Sequence, residues 1–117
     1  MKPVLQPLYR ASDQACLARQ ARVARTIGWR MRGMLGRRFD DFDALVFPRC
    51  DAIHTWFMAF PLDVLFLDRD RFVCGVRQGL PPWRLAAARR ARTVIELPEG
   101  TLARTGIGLG DRIDFEP

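Results

Sequence analysis

The sequence has few of the residues from which metal centres and disulfide frameworks are built. Its 117 residues include one histidine and three cysteines, and Cys16, Cys50 and Cys74 show no Cys-x-x-Cys spacing. A zinc site needs three or four converging ligands, and three cysteines cannot all pair with one another. The sequence therefore predicts reduced structural thiols, no metal and no cofactor.

Long apolar runs are also missing. No run approaches the roughly 20 residues needed to span a bilayer. Two prolines interrupt the start, MKPVLQPLYRASDQ, where a signal peptide has a continuous apolar core. We therefore expect a cytoplasmic protein with no membrane span. A hydrophobic content of 49% excludes a disordered chain and fits a folded domain.

Lysine is rare, and arginine carries most of the positive charge. Lys2 is the single lysine among 19 basic residues, and the formal net charge is +6. Guanidinium groups bind phosphate and carboxylate through paired hydrogen bonds. The charge is therefore compatible with binding to nucleic acid, an anionic surface or an acidic protein. GC-rich coding also produces arginine-rich chains, and no basic stretch alternates with the aromatics that single-strand binding needs. Nucleic acid is therefore not favoured, and contact through an arginine-rich face stays an alternative.

Alternating and apolar segments predict a mainly β fold. Residues 1–14 are expected to form a loosely ordered arm, and residues 15–117 a single domain. The predicted strands are 44–47, 53–58, 62–68, 72–78 and 93–98, with a last strand after the GLGD turn. Residues 15–25 fit a strand or a helix, and the strand is favoured. No β-α-β alternation is present, so the pattern favours a compact sandwich or barrel-like domain.

Several segments have more specific predictions. Val64 to Leu67 are apolar at every position, which predicts a central strand, and the polar turn DRDR (68–71) predicts a hairpin. The prolines of LPPWR (80–84) should end the sheet, and residues 85–92 form a polar, basic connector with helical propensity. The segment GLGDRI (108–113) reads as a turn and not as a phosphate loop.

One short amphipathic helix is predicted between Thr26, which can act as its N-cap, and Gly36, which can end it. Its apolar residues fall at helical spacing: Ile27, Met31, Met34 and Leu35. Its other face carries Arg30, Arg37 and Arg38, and Arg32 lies at the border of that face.

Four segments, in order along the chain, resemble the signature segments of the DUF192 family of small bacterial and archaeal proteins. They are RMRGMLGR (30–37), AIHTWFMAFPLDVLFLD (52–68), LPPWR (80–84) and VIELPEGTLARTGIGLGDRI (94–113). The resemblance extends from about residue 21 to residue 115. It implies a compact β-sandwich or barrel with a short helix, in a family without an established activity or agreed catalytic residues.

The stretch from Cys50 to Asp63 holds the candidate catalytic residues. A Cys50–His54 pair with Asp51 or Asp63 behind the histidine would be the arrangement of a small enzyme. The favoured interpretation is structural. Asp63 enters an apolar layer and needs a partner, for which Arg30 or Arg32 is the candidate. His54 can bond backbone groups where its strand begins.

The loop LPPWR holds the candidate binding residues. Trp83 beside Arg84 presents a planar apolar surface next to a cation, a pair that stacks on sugars, bases or aromatic partners. The alternative is a tryptophan packed as a lid over the sheet edge. We expect a non-enzymatic binding or accessory domain, monomeric, that contacts an unknown protein or small ligand through Trp83, Arg84 and His54. The contact should centre on the loop Leu80 to Arg84.

Overall fold

Strands dominate the computed structural model, which describes residues 5–24, 39, 41–56 and 58–115. The predicted mainly β class is confirmed. The elements of the described residues are β1 (Leu5–Arg10), β2 (Cys16–Val23), β3 (Ala44–Pro48), β4 (Ala52–His54), β5 (Leu62–Leu67), β6 (Val73–Leu80), β7 (Leu85–Ala87), β8 (Thr93–Pro98), α1 (Thr101–Thr105) and β9 (Ile113–Asp114).

Seven strands form one curled sheet in the order β6-β5-β8-β3-β2-β1-β9. Neighbours are antiparallel except β2 and β3, which are parallel. Strand β5 lies inside the sheet and is buried at all six positions, as its unbroken apolar run predicted. The β5–β6 hairpin is also confirmed.

Each face of the sheet carries a buried core. Every strand can contribute to both cores, because its successive side chains point to opposite faces. On β5, Leu65 and Leu67 belong to one core, which also contains Leu102 of α1. Val64 and Phe66 belong to the other. We call the first the helix-side core and the second the ladder-side core.

The ladder that gives the second core its name is a separate two-stranded sheet of β4 and β7. Ile53 lies opposite Ala86, and both pack against the ladder-side core. Since directly opposite residues share a face, the neighbouring pair, His54 and Leu85, points the other way.

Two segments differ from their predictions because strand pairing overrides local propensity. Residues 5–10 of the expected loose arm form β1, which pairs with both β2 and β9. Residues 85–87 of the expected helical connector form β7, since β4 offers them a partner.

The predicted strand 53–58 is shorter than expected, because β4 ends at His54 and a turn follows. The predicted helix between Thr26 and Gly36 lies outside the described residues. In the part of the chain that is described, no helix has the length and apolarity to cross a membrane.

The segment GLGDRI forms the predicted turn. The Gly108 amide donates to the Asp111 carboxylate at 3.0 Å, and the Asp111 amide donates back to the Gly108 carbonyl at 3.1 Å. Gly110 has a φ of 86°, a conformation that glycine adopts without strain.

Candidate functional site

Thr55 joins the end of β4 to the loop that contains Trp83. Its buried hydroxyl donates to the Pro81 carbonyl at 2.6 Å and accepts from the Arg84 amide at 2.8 Å. Its backbone amide donates to the Arg84 carbonyl at 2.8 Å, and its carbonyl accepts from the Trp83 amide at 3.0 Å. These four bonds hold the predicted binding loop against the strand that carries His54.

Five exposed side chains surround this anchor, and we call them the aromatic surface: His54, Trp56, Trp83, Arg84 and Leu85. The rings of His54 and Trp56 stack with centroids 4.8 Å apart and an interplanar angle of 29°. Trp56 is 47% exposed, Trp83 57% and Leu85 73%. Large apolar side chains are seldom exposed together on one face unless the face contacts something.

The sequence analysis grouped His54 with Trp83 and Arg84 as binding candidates, and in the fold the end of β4 lies beside the loop 80–84. His54 pairs with Leu85 across the β4–β7 ladder, one residue from Arg84. Trp83 has a φ of 65°, in the left-handed region that a bulky residue rarely adopts. The anchoring bonds of Thr55 hold this conformation and keep the ring exposed.

Asp63 is buried on the helix-side face of β5 and accepts three backbone hydrogen bonds. One oxygen accepts from the Gly79 amide at 2.9 Å. The other accepts from the amides of Gly100 at 3.1 Å and Leu102 at 2.9 Å, at the start of α1. Asp63 therefore caps the short helix from the sheet, where a carboxylate complements the free amides of the helix end. The predicted partners Arg30 and Arg32 lie outside the described residues.

Cys50 lies at the other end of β4 from His54. Its thiol donates to the Ala52 carbonyl at 3.1 Å, and its side chain packs partly against the ladder-side core. Within residues 41–56 and 58–115, no hydrogen bond joins Cys50 to His54 or His54 to Asp63, and no three potential ligands group around a metal position.

A second buried carboxyl, Glu96 of β8, was not singled out from the sequence. It faces the ladder-side core between Leu45 and Val64 of the two adjacent strands. Its Oε2 atom has no hydrogen-bond partner in the described structure. Burial raises the pKa of Glu96 to about 8, because a charge in an apolar layer loses its hydration.

The family of the chain follows from its sequence. The DUF192 family model, described as "Uncharacterized ACR, COG1430", matches residues 9–115. The chain belongs to the DUF192 family. That match includes every residue of the aromatic surface and both buried carboxyls.

Curated DUF192 relatives come from archaea. A "UPF0127 protein" of Thermococcus sibiricus is 34% identical over 83% of this chain and 66% of its own length. "UPF0127 protein PYRAB11210" of Pyrococcus abyssi is 36% identical over 55% of both chains. The matched region thus spans about half to two thirds of these relatives.

Two solved structures share the DUF192 fold. A protein of unknown function from Novosphingobium aromaticivorans has a TM-score of 0.80 and 21% identity, over 98% of this chain and 94% of its own. A Sinorhizobium meliloti protein described as a "putative transcription regulator" has a TM-score of 0.76 and 25% identity, over 92% of this chain and 89% of its own.

Two members of the aromatic surface, Trp56 and Leu85, were missed by sequence reasoning. Trp56 was placed inside a strand, and Leu85 inside a helical connector. Glu96 did leave a signal, since it is the one acidic residue of the apolar strand TVIELP, as Asp63 is of LDVLFL. The pattern that predicted a buried role for Asp63 also applies to Glu96.

Proposed function

We propose that this DUF192 domain is a non-enzymatic binding module that docks a partner protein on its aromatic surface. The observation that carries the proposal is the shared exposure of Trp56, Trp83 and Leu85 beside Arg84 on one rigid ladder and loop. Tryptophan and arginine dominate the binding energy of protein interfaces, usually near the centre of the contact.

The construction of the loop supports this function. Two prolines and the bonds to Thr55 fix the backbone of residues 81–84 before any partner arrives. A preorganised loop loses little conformational entropy on binding, so more of the contact energy appears as affinity. The small ladder presents His54 and Leu85 outward, which suits a protein surface better than an enclosed small molecule.

The composition supports a reducing location and basic character. All three cysteines are free thiols, as is usual in the cytoplasm. The net charge of +6 favours encounter with an acidic partner, because opposite charges raise the association rate. We propose that the module acts in the cytoplasm as a monomer.

Affinity capture with matched variants tests the function. The immobilised domain and its Trp83→Ala variant are exposed to lysate of the source organism, and bound proteins are compared. Phe72→Ala is the control, because Phe72 is 44% exposed and precedes β6, whereas Trp83 follows it. We expect one protein to be retained by the wild type and Phe72→Ala and lost with Trp83→Ala.

His54→Ala separates the binding function from a catalytic one. Because His54 supports Trp56 by stacking, its loss should weaken capture less than the loss of Trp83. Loss of capture in His54→Ala with full retention in Trp83→Ala would contradict the proposal. It would favour the alternative of a catalytic site at His54. Equal capture by wild type and Trp83→Ala would contradict it as well.

A further inference from the structure

Arginines gather at the end of the sheet that lies away from the Trp83 loop. A cleft of about 520 Å³ is lined by four of them: Arg49, Arg69, Arg71 and Arg92. They come from the end of β3, the β5–β6 turn and the segment before β8. Two smaller hollows share Arg69 with the cleft, and they add Arg90 and Arg112.

Arginines outnumber carboxylates in the described lining of the cleft. That lining contains four arginines and one carboxylate, Asp68. Asp68 shapes the β5–β6 turn, since its Oδ1 accepts from the amides of Asp70 at 2.9 Å and Phe72 at 3.0 Å. In the described part of the chain, no ion pair joins Asp68 to Arg69, Arg71 or Arg92.

One arginine of the cleft is held in place by the C-terminal segment. The Arg71 guanidinium donates to the Phe115 carbonyl and lies 4.2 Å from the centre of the Phe115 ring. A guanidinium fixed in this way loses little side-chain entropy when an anion binds its remaining donors.

The backbone is strained at two arginines of the cleft and at Arg90 of an adjacent hollow. The φ values of Arg49, Arg71 and Arg90 are 55°, 70° and 69°, in the left-handed region. That region costs a non-glycine residue on the order of 1 kcal/mol, and such strain is concentrated at functional sites. Three strained turns therefore place arginines at the same end of the fold.

We propose that this arginine cleft binds a small phosphorylated molecule. The site is separate from the aromatic surface and does not depend on the proposed docking function. The planar forks of several arginines match the oxygens of a phosphate group, and each can form two parallel hydrogen bonds.

The charge and the size of the cleft define the ligand class. A phosphate monoester carries a charge of about −1.5 to −2 near neutral pH, so clustered arginines attract it more strongly than they attract a single carboxylate. A volume of about 520 Å³ lies within the range typical of small-molecule sites. Single-stranded nucleic acid would instead need a longer basic track with stacking aromatics.

Titration with pyrophosphate, followed by calorimetry and by amide NMR shifts, tests the proposal. The variants are Arg69→Gln and Arg92→Gln, whose exposed side chains can change without disturbing the core. Arg104→Gln is the control, because it removes the same charge from an exposed position on α1, away from the cleft. We expect each cleft variant to bind about tenfold more weakly, and the control to bind like the wild type.

Three results would overturn the proposal. If Arg104→Gln weakened pyrophosphate binding as much as the cleft variants do, the anion would be attracted by the overall positive charge of the protein. If citrate bound as tightly as pyrophosphate, the cleft would have no preference for phosphate. A short single-stranded oligonucleotide that binds through Arg69 and Arg92, when pyrophosphate does not bind at all, would replace the small molecule with nucleic acid.

Discussion

Asp63 and Glu96 are buried carboxyls on adjacent strands that face opposite sides of the same sheet. Asp63 lies opposite Leu97 and Glu96 lies opposite Val64, one register position away. Asp63 accepts three backbone hydrogen bonds, whereas the Oε2 atom of Glu96 has no partner in the described structure. A buried polar group stabilises a fold only when its hydrogen bonds are satisfied, so the two side chains should affect stability in opposite ways.

Replacement of Asp63 by asparagine should destabilise the domain. An amide offers one acceptor oxygen in place of two, and its NH2 group would face an amide that now donates to the carboxylate. We expect a loss of about 3 kcal/mol in the free energy of unfolding, measured by denaturant titration. Asp70→Asn, at an exposed turn, should change it by less than about 0.5 kcal/mol. Equal midpoints for the Asp63 variant and the wild type would show that the three bonds do not stabilise α1.

Glu96 should make stability depend on pH. Its folded pKa of about 8 lies above the ordinary value of 4.5, so the folded state binds more protons between those values. The contribution of Glu96 to the free energy of unfolding is therefore fully present below pH 4.5, falls as pH rises through this window, and is lost above about pH 8. We expect a fall of several kcal/mol across the window.

Glu96→Gln should abolish this slope, because glutamine stays neutral at every pH. Glu99→Gln is the control, since Glu99 is an exposed glutamate three residues along the chain. Denaturant titrations at a series of pH values compare the three proteins. Equal slopes for wild type and Glu96→Gln would mean that Glu96 is hydrated or paired in solution.

The docking of the ladder against the sheet depends on Gly75. A Cβ atom at this position would lie 2.8 Å from the Cβ of Ala88 and 3.1 Å from the Phe66 ring. Gly75→Ala should therefore lower the free energy of unfolding by about 1–3 kcal/mol. Gly108→Ala meets no atom within 4 Å and should be close to neutral. A neutral Gly75→Ala would show that β6 and the segment after β7 are not in close contact.

The Thr55 hydroxyl should stabilise the fold by anchoring the loop 81–84. Thr55→Val keeps the side-chain shape and leaves the Pro81 carbonyl and the Arg84 amide without this partner. We expect a loss of about 1–3 kcal/mol in the free energy of unfolding. Thr93→Val is the control, because the Thr93 hydroxyl has no hydrogen bond to the described residues. A Thr55 variant as stable as this control would mean that the loop is held in another way.

Local patterns predicted the strands whose own sequence carries the signal. The short apolar runs of β5 and β8 are readable because burial on both faces of a strand leaves few polar residues in its sequence. Strands β1 and β7 were missed because their strand character comes from distant partners, β9 for the first and β4 for the second.

The site was predictable in its parts and not in its assembly. The residue types of His54, Trp83 and Arg84 marked them as candidates, but their proximity depends on hydrogen bonds from Thr55 across about 30 positions of chain. The partners of Asp63 could not be read either, because they are backbone amides of Gly79, Gly100 and Leu102, which no side-chain pattern reveals.

Photo-crosslinking in the source cells tests most directly whether the aromatic surface is a contact surface. A photoreactive residue is placed at Leu85, which is 73% exposed on that surface, or at Leu109, which is 72% exposed elsewhere. We expect a protein adduct from position 85 that disappears when Trp83→Ala is added, and no such adduct from position 109. The same adducts from both positions, or none from position 85, would contradict it.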